Sequence, residues 1–266
     1  MPIQCDYHMH TPLCRHASGP MEAYIEHAIE LGLREIGFSD HNPLPRGLAA
    51  NVRMREDELD YYISRVLDLR FQYRGKIDVL LGLELDYLEG LEGYLEQQVT
   101  KYPWDYVIGS IHFLDAECRV GSWPRAFGGS TADLYARYFE LMGNLVRSGL
   151  CDIIAHFDVP KRAGHRAEQA DDKLRTILDE VKRADLCVEI NTSGYRHPEL
   201  PTPEPYPGLA IVEQLLAHGV PLTVNSDAHA PDQVGLRFGD IESFLRRKGC
   251  KRLAKFDQRK RTFYEM

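Results

Sequence analysis

The chain has no Cys-x-x-Cys pair; its six cysteines, Cys5, Cys14, Cys118, Cys151, Cys187 and Cys250, are scattered over 266 residues. That scatter argues against a thiolate zinc site and gives no disulfide framework, so the cysteines read as reduced packing residues. No uninterrupted apolar stretch approaches the roughly 20 residues of a membrane helix, and the first residues lack the basic and apolar regions of a secretion signal. The expectation is a soluble, cytoplasmic protein with no membrane partner. Positive charge is also in deficit: 32 Lys and Arg stand against 40 Asp and Glu, a formal net charge of -8. General nucleic-acid binding rests on neutralising phosphates with Lys and Arg, and no basic stripe is present to do it. Internal repeats, low-complexity tracts and linkers are missing too, so residues 1–266 read as a single catalytic domain. With 44% hydrophobic residues it can bury a large core, and its length is ordinary for one α/β barrel.

Apolar runs of strand length alternate with longer helical patterns. Strands are expected over 3–8, 34–39, 77–84, 105–111, 151–155, 186–191 and 221–226, with a further terminal strand over 251–256. Helices are expected from Gly19-Pro20 to the Gly32 stop, and over about 56–73, 131–148, 167–184, 207–218 and 239–248. This alternation implies βαβ units and a mainly parallel sheet, and about seven such units favour a closed or nearly closed barrel. Residues 113–130 form too long a connection to be passive and read as an active-site loop or lid.

The histidines fall at one kind of place on this map. In an extended segment, residues two apart face the same side, so His8 and His10 can present two imidazoles to one point. They end the first strand, and His16 follows in the next loop. His41 follows the second strand, Glu84 ends the third, His112 the fourth and His156 the fifth, while Asp227 and His229 follow the seventh. In a parallel α/β barrel these C-terminal strand ends meet at one face, where active sites are built. Imidazoles and carboxylates without thiolates suit zinc, manganese or iron in a catalytic site, and nine candidate ligands are too many for one ion. Any one of these histidines alone would read as an ordinary core or surface residue; the set does not. His27 and His218, on helices, keep that ordinary reading.

Four motifs, His8-Met9-His10, Ser39-Asp40-His41, Gly109-Ser110-Ile111-His112 and Ser226-Asp227-Ala228-His229, with Glu84 and His156 between them, span almost the whole chain. In their order and spacing the sequence resembles the polymerase-and-histidinol-phosphatase (PHP) superfamily. The stretches from His10 to Cys14 with His16, from Asp105 to Ser110, His156-Phe157-Asp158 and Asn191-Thr192-Ser193-Gly194 are similar to the monofunctional histidinol-phosphate phosphatases within it. The resemblance implies a distorted TIM-like (β/α)7 barrel carrying three divalent ions at the C-terminal ends of the strands. It assigns His8, His10, Glu84 and Asp227 to one ion, Glu84, His112 and His156 to a second, and His16, His41 and His229 to the third.

The implied reaction is hydrolysis of a phosphate monoester, with ions that activate water and neutralise the phosphoryl group, and the implied substrate is L-histidinol phosphate, an intermediate of histidine biosynthesis. Asp40, Glu84 and Asp227 are the candidate catalytic carboxylates. Asp40 and Asp158 have the placement either to orient an imidazole or to make loop hydrogen bonds. Arg suits the outer phosphate oxygens through its planar fork; the resemblance points to Lys161 or Arg162 and to Arg196, with Arg166 equally readable as a solvated loop charge. Asp115 and Glu117 are candidates for the substrate amine, and Trp123-Pro124-Arg125-Ala126-Phe127 for an aromatic wall. Two other readings stay open at this stage: a PHP phosphoesterase acting on another small ester or a nucleotide end, and a metal-binding accessory module without turnover. Native metal identity and oligomeric state are not legible in the chain.

Overall fold

The computed structural model describes residues 3–122, 128–165, 167, 171–198, 200 and 202–266. The Trp123–Phe127 wall and Arg166 therefore lie outside the described residues. The elements run β1 (Cys5–Asp6), α1 (Met21–Glu30), β2 (Glu35–Phe38), α2 (Leu59–Gln72), β3 (Asp78–Asp86), α3 (Glu92–Lys101), β4 (Tyr106–Ser110) and α4 (Thr131–Ser148). They continue with β5 (Ile153–Ile154), α5 (Asp171–Arg183), β6 (Cys187–Asn191), α6 (Leu209–Ala217), β7 (Leu222–Asn225), α7 (Phe238–Arg247), β8 (Arg252–Asp257) and β9 (Lys260–Glu265). The first seven strands form one sheet in sequence order, the topology of consecutive βα units. The pairs β1/β2, β2/β3 and β5/β6 are parallel. Among the described residues no helix is long and apolar enough to cross a membrane.

The chain divides into two compact units. The first comprises Met1–Leu85, Pro103–Ile108 and Val224–Met266; the second comprises Asp86–Tyr102 and Gly109–Thr223. Within the first, Met9 and Ala228 form a parallel bridge just beyond β1 and β7, with His10 N donating to Ala228 O at 2.9 Å and Ala228 N to His8 O at 3.0 Å. The interior beneath this bridge is filled by tyrosines. Tyr106 donates its hydroxyl to Tyr7 O at 2.6 Å, and its ring takes the space that side chains at Gly37 and Gly82 would fill. Tyr62 donates to Gly82 O at 2.8 Å and accepts the Asp40 N–H at 3.3 Å. Tyr7 donates to Glu35 Oε2 at 2.6 Å, while Lys255 of β8 holds Glu35 Oε1 at 2.8 Å.

Two expectations needed correcting. The polar stretch between β3 and β4 contains a helix, α3, that the pattern reading passed over; it buries only Leu95, Gln98 and Val99, too few anchors to raise a helical periodicity. The single strand expected over 251–256 is one arm of an antiparallel hairpin, β8/β9. Its turn residues Gln258 and Arg259 both have positive φ, 48° and 63°, the backbone of a tight two-residue hairpin turn, reached here without the Asn-Gly or Asp-Gly pair that would have marked it. By contrast α4 occupies the expected 131–148. Ser130 Oγ accepts the Asp133 N–H at 3.1 Å, Asp133 Oδ2 accepts the Ser130 N–H at 2.9 Å, and Gly149 closes the helix with φ 67°.

In the second unit the described residues 113–122 are more ordered than expected of an irregular loop. Phe113 and Gly121 form an antiparallel bridge, and Asp115 Oδ1 accepts the N–H groups of Arg119 and Val120 at 3.0 and 2.6 Å.

Candidate metal centre

Within the first unit, the ends of β1, β2, β3 and β7 bring seven of the predicted ligands together. The Met9–Ala228 pairing is what aims them: with Met9 buried in the bridge, its neighbours His8 and His10 both turn to the other side of the backbone, and both are fully buried. On the opposite strand end, Asp227 adopts φ 52°, a left-handed conformation that costs a non-glycine residue and is held by its surroundings. Its Oδ1 lies 3.2 Å from His10 Nε2 and 3.8 Å from His8 Nε2. A second parallel bridge, His41 with Glu84, delivers Glu84 Oε2 to 2.7 Å from His41 Nδ1, 3.4 Å from His8 Nε2 and 3.5 Å from His10 Nε2. The His10 ring stacks on His229 at 4.0 Å between centroids, and His16 lies 4.7 Å from His229 and 5.5 Å from His41.

The outer nitrogens of three of these rings have partners of their own. His16 Nδ1 lies 2.7 Å from Cys14 O and His229 Nδ1 3.0 Å from Asp227 O, contacts that leave each Nε2 as the lone-pair donor. His10 Nδ1 lies 3.4 Å from Asp40 Oδ1. Asp40 is fully buried; its Oδ1 also accepts the His41 N–H at 2.9 Å, and its Oδ2 accepts both the N–H, at 3.1 Å, and the hydroxyl of Thr11. It therefore combines the two roles open to it, orienting an imidazole and tying down the loop after β1.

The electrostatics describe a site shaped for a cation. Burial opposes charge on Asp227, yet His8, His10 and His229 outweigh it and hold the carboxyl well below its ordinary range. Burial likewise opposes charge on His10, but its hydrogen bonds to Asp227 and Asp40 raise its basicity well above that of a free imidazole. Burial and the neighbouring His10 push His229 down to about 3, so that ring stays neutral with its lone pair available. The ligand atoms of His8, His10 and Asp227 lie within 4.8 Å of one another, as do those of His10, His41 and His229. Imidazole and carboxylate donors this close, mostly buried, fit a divalent ion, which would replace the proton His10 otherwise attracts.

The second unit holds the other two predicted ligands. His112 follows β4 and His156 follows β5, with ring centroids 4.9 Å apart. Asp86, at the end of β3 and fully buried, accepts the His112 N–H on Oδ1 at 3.1 Å and places Oδ2 3.3 Å from His112 Nδ1. Glu189 of β6, also fully buried, accepts the His156 N–H at 3.0 Å and the Asn191 amide at 2.7 Å. Lys161 is buried in a structural role. Its ammonium meets Pro205 O at 2.5 Å, Asp158 Oδ2 at 3.1 Å and Glu204 Oε1 at 3.3 Å, which engages all three of its donors. Asp158 spends the same oxygen on Gly208 N at 3.0 Å, the loop-bonding role rather than the imidazole-orienting one. Arg162 and Arg196 are half-buried, and Glu117 is exposed and paired with Arg119 at 3.1 Å.

Sequence reasoning passed over four residues that border these groups. Asp6, fully buried, accepts the N–H groups of Ser226 at 2.9 Å and Gly235 at 3.1 Å, tying the strand ends that carry His8 and Asp227; burial pushes its carboxyl up to about 6. Cys14, read as a packing residue, has its sulfur within 4.8 Å of ligand atoms of His16 and His229; burial raises its thiol, but hydrogen bonds to His10 and His16 bring it down to about 7. Asp86 stands two residues beyond Glu84, a spacing that was a usable signal. Glu189 had none, since a lone acid in an apolar strand is not distinctive.

Residues 6–193 match the model of the PHP domain. A Deinococcus radiodurans protein named "Probable histidinol-phosphatase" is 38% identical over 251 residues, covering 92% of this chain and 94% of its own. The histidinol-phosphatase of Bacillus subtilis is 28% identical over 280 residues, 91% of this chain and 98% of its own. In fold, the chain is similar to the histidinol phosphate phosphatase of Lactococcus lactis subsp. lactis, solved with zinc, L-histidinol and phosphate: TM-score 0.84 at 19% identity, over 98% of this chain and 99% of that one. The architecture is thus the distorted TIM-like (β/α)7 barrel, and the chain belongs to the PHP domain family and, within it, to the histidinol-phosphatases.

Proposed function

We propose that this protein is a metal-dependent phosphomonoester hydrolase that converts L-histidinol phosphate to L-histidinol and phosphate in histidine biosynthesis. The observation that carries it is the group of buried His8, His10, His41 and Glu84 with half-buried Asp227, in a chain with 38% identity to a relative named for this activity over nearly the whole of both sequences. Divalent ions, zinc, manganese or iron and three in number by the family resemblance, would be held in the first unit by His8, His10, Glu84 and Asp227 and by His16, His41 and His229, and in the second unit by His112 and His156. When bound, they supply charge to the phosphoryl oxygens and acidify water.

The chain's own residues do the rest. Asp227 and Glu84 act as anionic donors, and Asp40 keeps the His10 ring in register and fixes the Thr11 backbone. Arg196 and Arg162 bind the outer phosphate oxygens, and Glu117 attracts the substrate amine. Lys161 acts indirectly, by holding the 204–205 segment against the strand-five loop. The whole chain works as one catalytic domain, in the cytoplasm, on a small phosphorylated substrate rather than on nucleic acid or a membrane.

The test is phosphate release by the purified, metal-loaded chain from histidinol phosphate, a generic aryl phosphate and a 3′-phosphorylated oligonucleotide, with metal content measured in parallel. Histidinol phosphate should exceed the aryl ester in kcat/KM by about 100-fold or more, since its amine and imidazole add recognition the ester lacks. Equal rates for the two esters would remove the biosynthetic assignment, and preference for the oligonucleotide would replace it.

A further inference from the structure

Both carboxylate oxygens of Asp86 approach His112. Oδ1 accepts the His112 backbone N–H at 3.1 Å and Oδ2 faces His112 Nδ1 at 3.3 Å, while Ser110 Oγ lies 3.3 Å from the same nitrogen. Pinned at backbone and ring by a single fully buried side chain, the imidazole has its rotamer fixed. A carboxylate beside Nδ1 also favours one tautomer: with the proton on Nδ1, Nε2 is left as the donor. That ring and the His156 ring are 4.9 Å apart between centroids, a spacing suited to two donors for one ion.

We propose that Asp86 is the positioning residue for the His112 ligand: it orients the ring, holds its tautomer and strengthens Nε2 as a donor, without itself touching ion or substrate. The inference rests on the reading that His112 and His156 hold a metal ion, and it adds the residue on which that ion's affinity depends. Asp86→Asn is the informative change, being isosteric. Its amide oxygen can still take the backbone N–H, but its NH2 then faces Nδ1 and favours the opposite tautomer.

The full chain and its Asp86→Asn and Ser110→Ala variants would be stripped of metal and titrated with Mn2+ against a chromophoric chelator, followed by histidinol phosphate kinetics at limiting and at excess Mn2+. Asp86→Asn should weaken one metal equivalent by roughly 10–100-fold and leave the others unchanged. At limiting Mn2+ its kcat should fall by a similar factor with KM within about 3-fold, and excess Mn2+ should restore it. Ser110→Ala should show the same pattern at roughly a tenth of the size. Unchanged affinity for every equivalent in Asp86→Asn would overturn the proposal. So would a uniform loss across all equivalents, with a lowered melting temperature of the stripped chain and no rescue, which marks a purely structural carboxylate. Because the titration needs no substrate, it stands apart from the functional reading: a chain that binds Mn2+ yet ignores histidinol phosphate would refute the substrate and still decide the role of Asp86.

Discussion

Tyr7 and His8 are neighbours in the chain, yet they belong to two layers of the first unit that treat buried polarity in opposite ways. In the lower layer, Tyr7, Tyr62 and Tyr106 each pass a hydroxyl proton to a named acceptor, and Glu35 is met by Tyr7 and Lys255. These groups satisfy one another without outside help. In the upper layer, imidazoles and carboxylates are drawn together so closely that Asp227 is driven to ionise, His10 to take up a proton and His229 to give one up. Packing alone does not reconcile those demands; a multivalent cation does. The contrast separates polar groups that hold a fold together from polar groups gathered to hold something else.

If that separation is right, damage to the upper layer should cost activity and metal while damage to the lower layer costs stability. The largest effect is expected from His8→Ala or Asp227→Ala, each lowering kcat/KM by about 1000-fold or more and reducing bound metal on elemental analysis. A His8→Ala variant with full activity would sink the metal-centre reading. Next comes chelation of the intact chain: losing ions held at about 100 times their Kd removes roughly 3 kcal/mol per site, so the melting temperature should fall by roughly 5–10 °C for each ion lost and recover when metal is returned. Gly37→Ala strikes the lower layer instead. Its new methyl group overlaps the Tyr106 ring, and the cost should be about 2–3 kcal/mol in chemical denaturation, with metal stoichiometry intact.

Smaller effects sharpen the same line. Arg196→Ala should lower kcat/KM by about 10–100-fold with metal retained, because it acts on the substrate phosphate rather than on the ions. Tyr106→Phe leaves the buried Tyr7 carbonyl without its hydroxyl donor and should cost about 1–2 kcal/mol of stability, with steady-state kinetics unchanged. Should Tyr106→Phe reduce metal binding, the two layers are coupled and the comparison fails.

Much of this was legible before any coordinates. The alternation of apolar runs and helical patterns located all seven strands of the main sheet, because parallel strands buried on both faces write continuous hydrophobic runs. The His-x-His pair and the histidines at strand ends were visible because strand periodicity and strand polarity are properties of the chain itself. What escaped had little pattern to show. α3 has few buried anchors, the β8/β9 turn uses Gln258 and Arg259 where glycine or asparagine is usual, and Glu189 is a single acid in an apolar strand.

Lys161 marks the boundary most clearly. From the sequence it was a cation in the right loop; in the fold its ammonium is taken up by Asp158, Glu204 and Pro205, whose positions are set by segments more than forty residues apart. The sequence by itself determined the order of elements, the sign of the charge and the donor types available for a metal, since these depend on local periodicity and composition. Only the tertiary structure decided which nitrogen of each imidazole is engaged and which carboxylate is an orienting partner. It alone decided which basic residue is already committed, because hydrogen-bond partners are chosen by three-dimensional proximity and by the free energy of leaving a buried charge unmet.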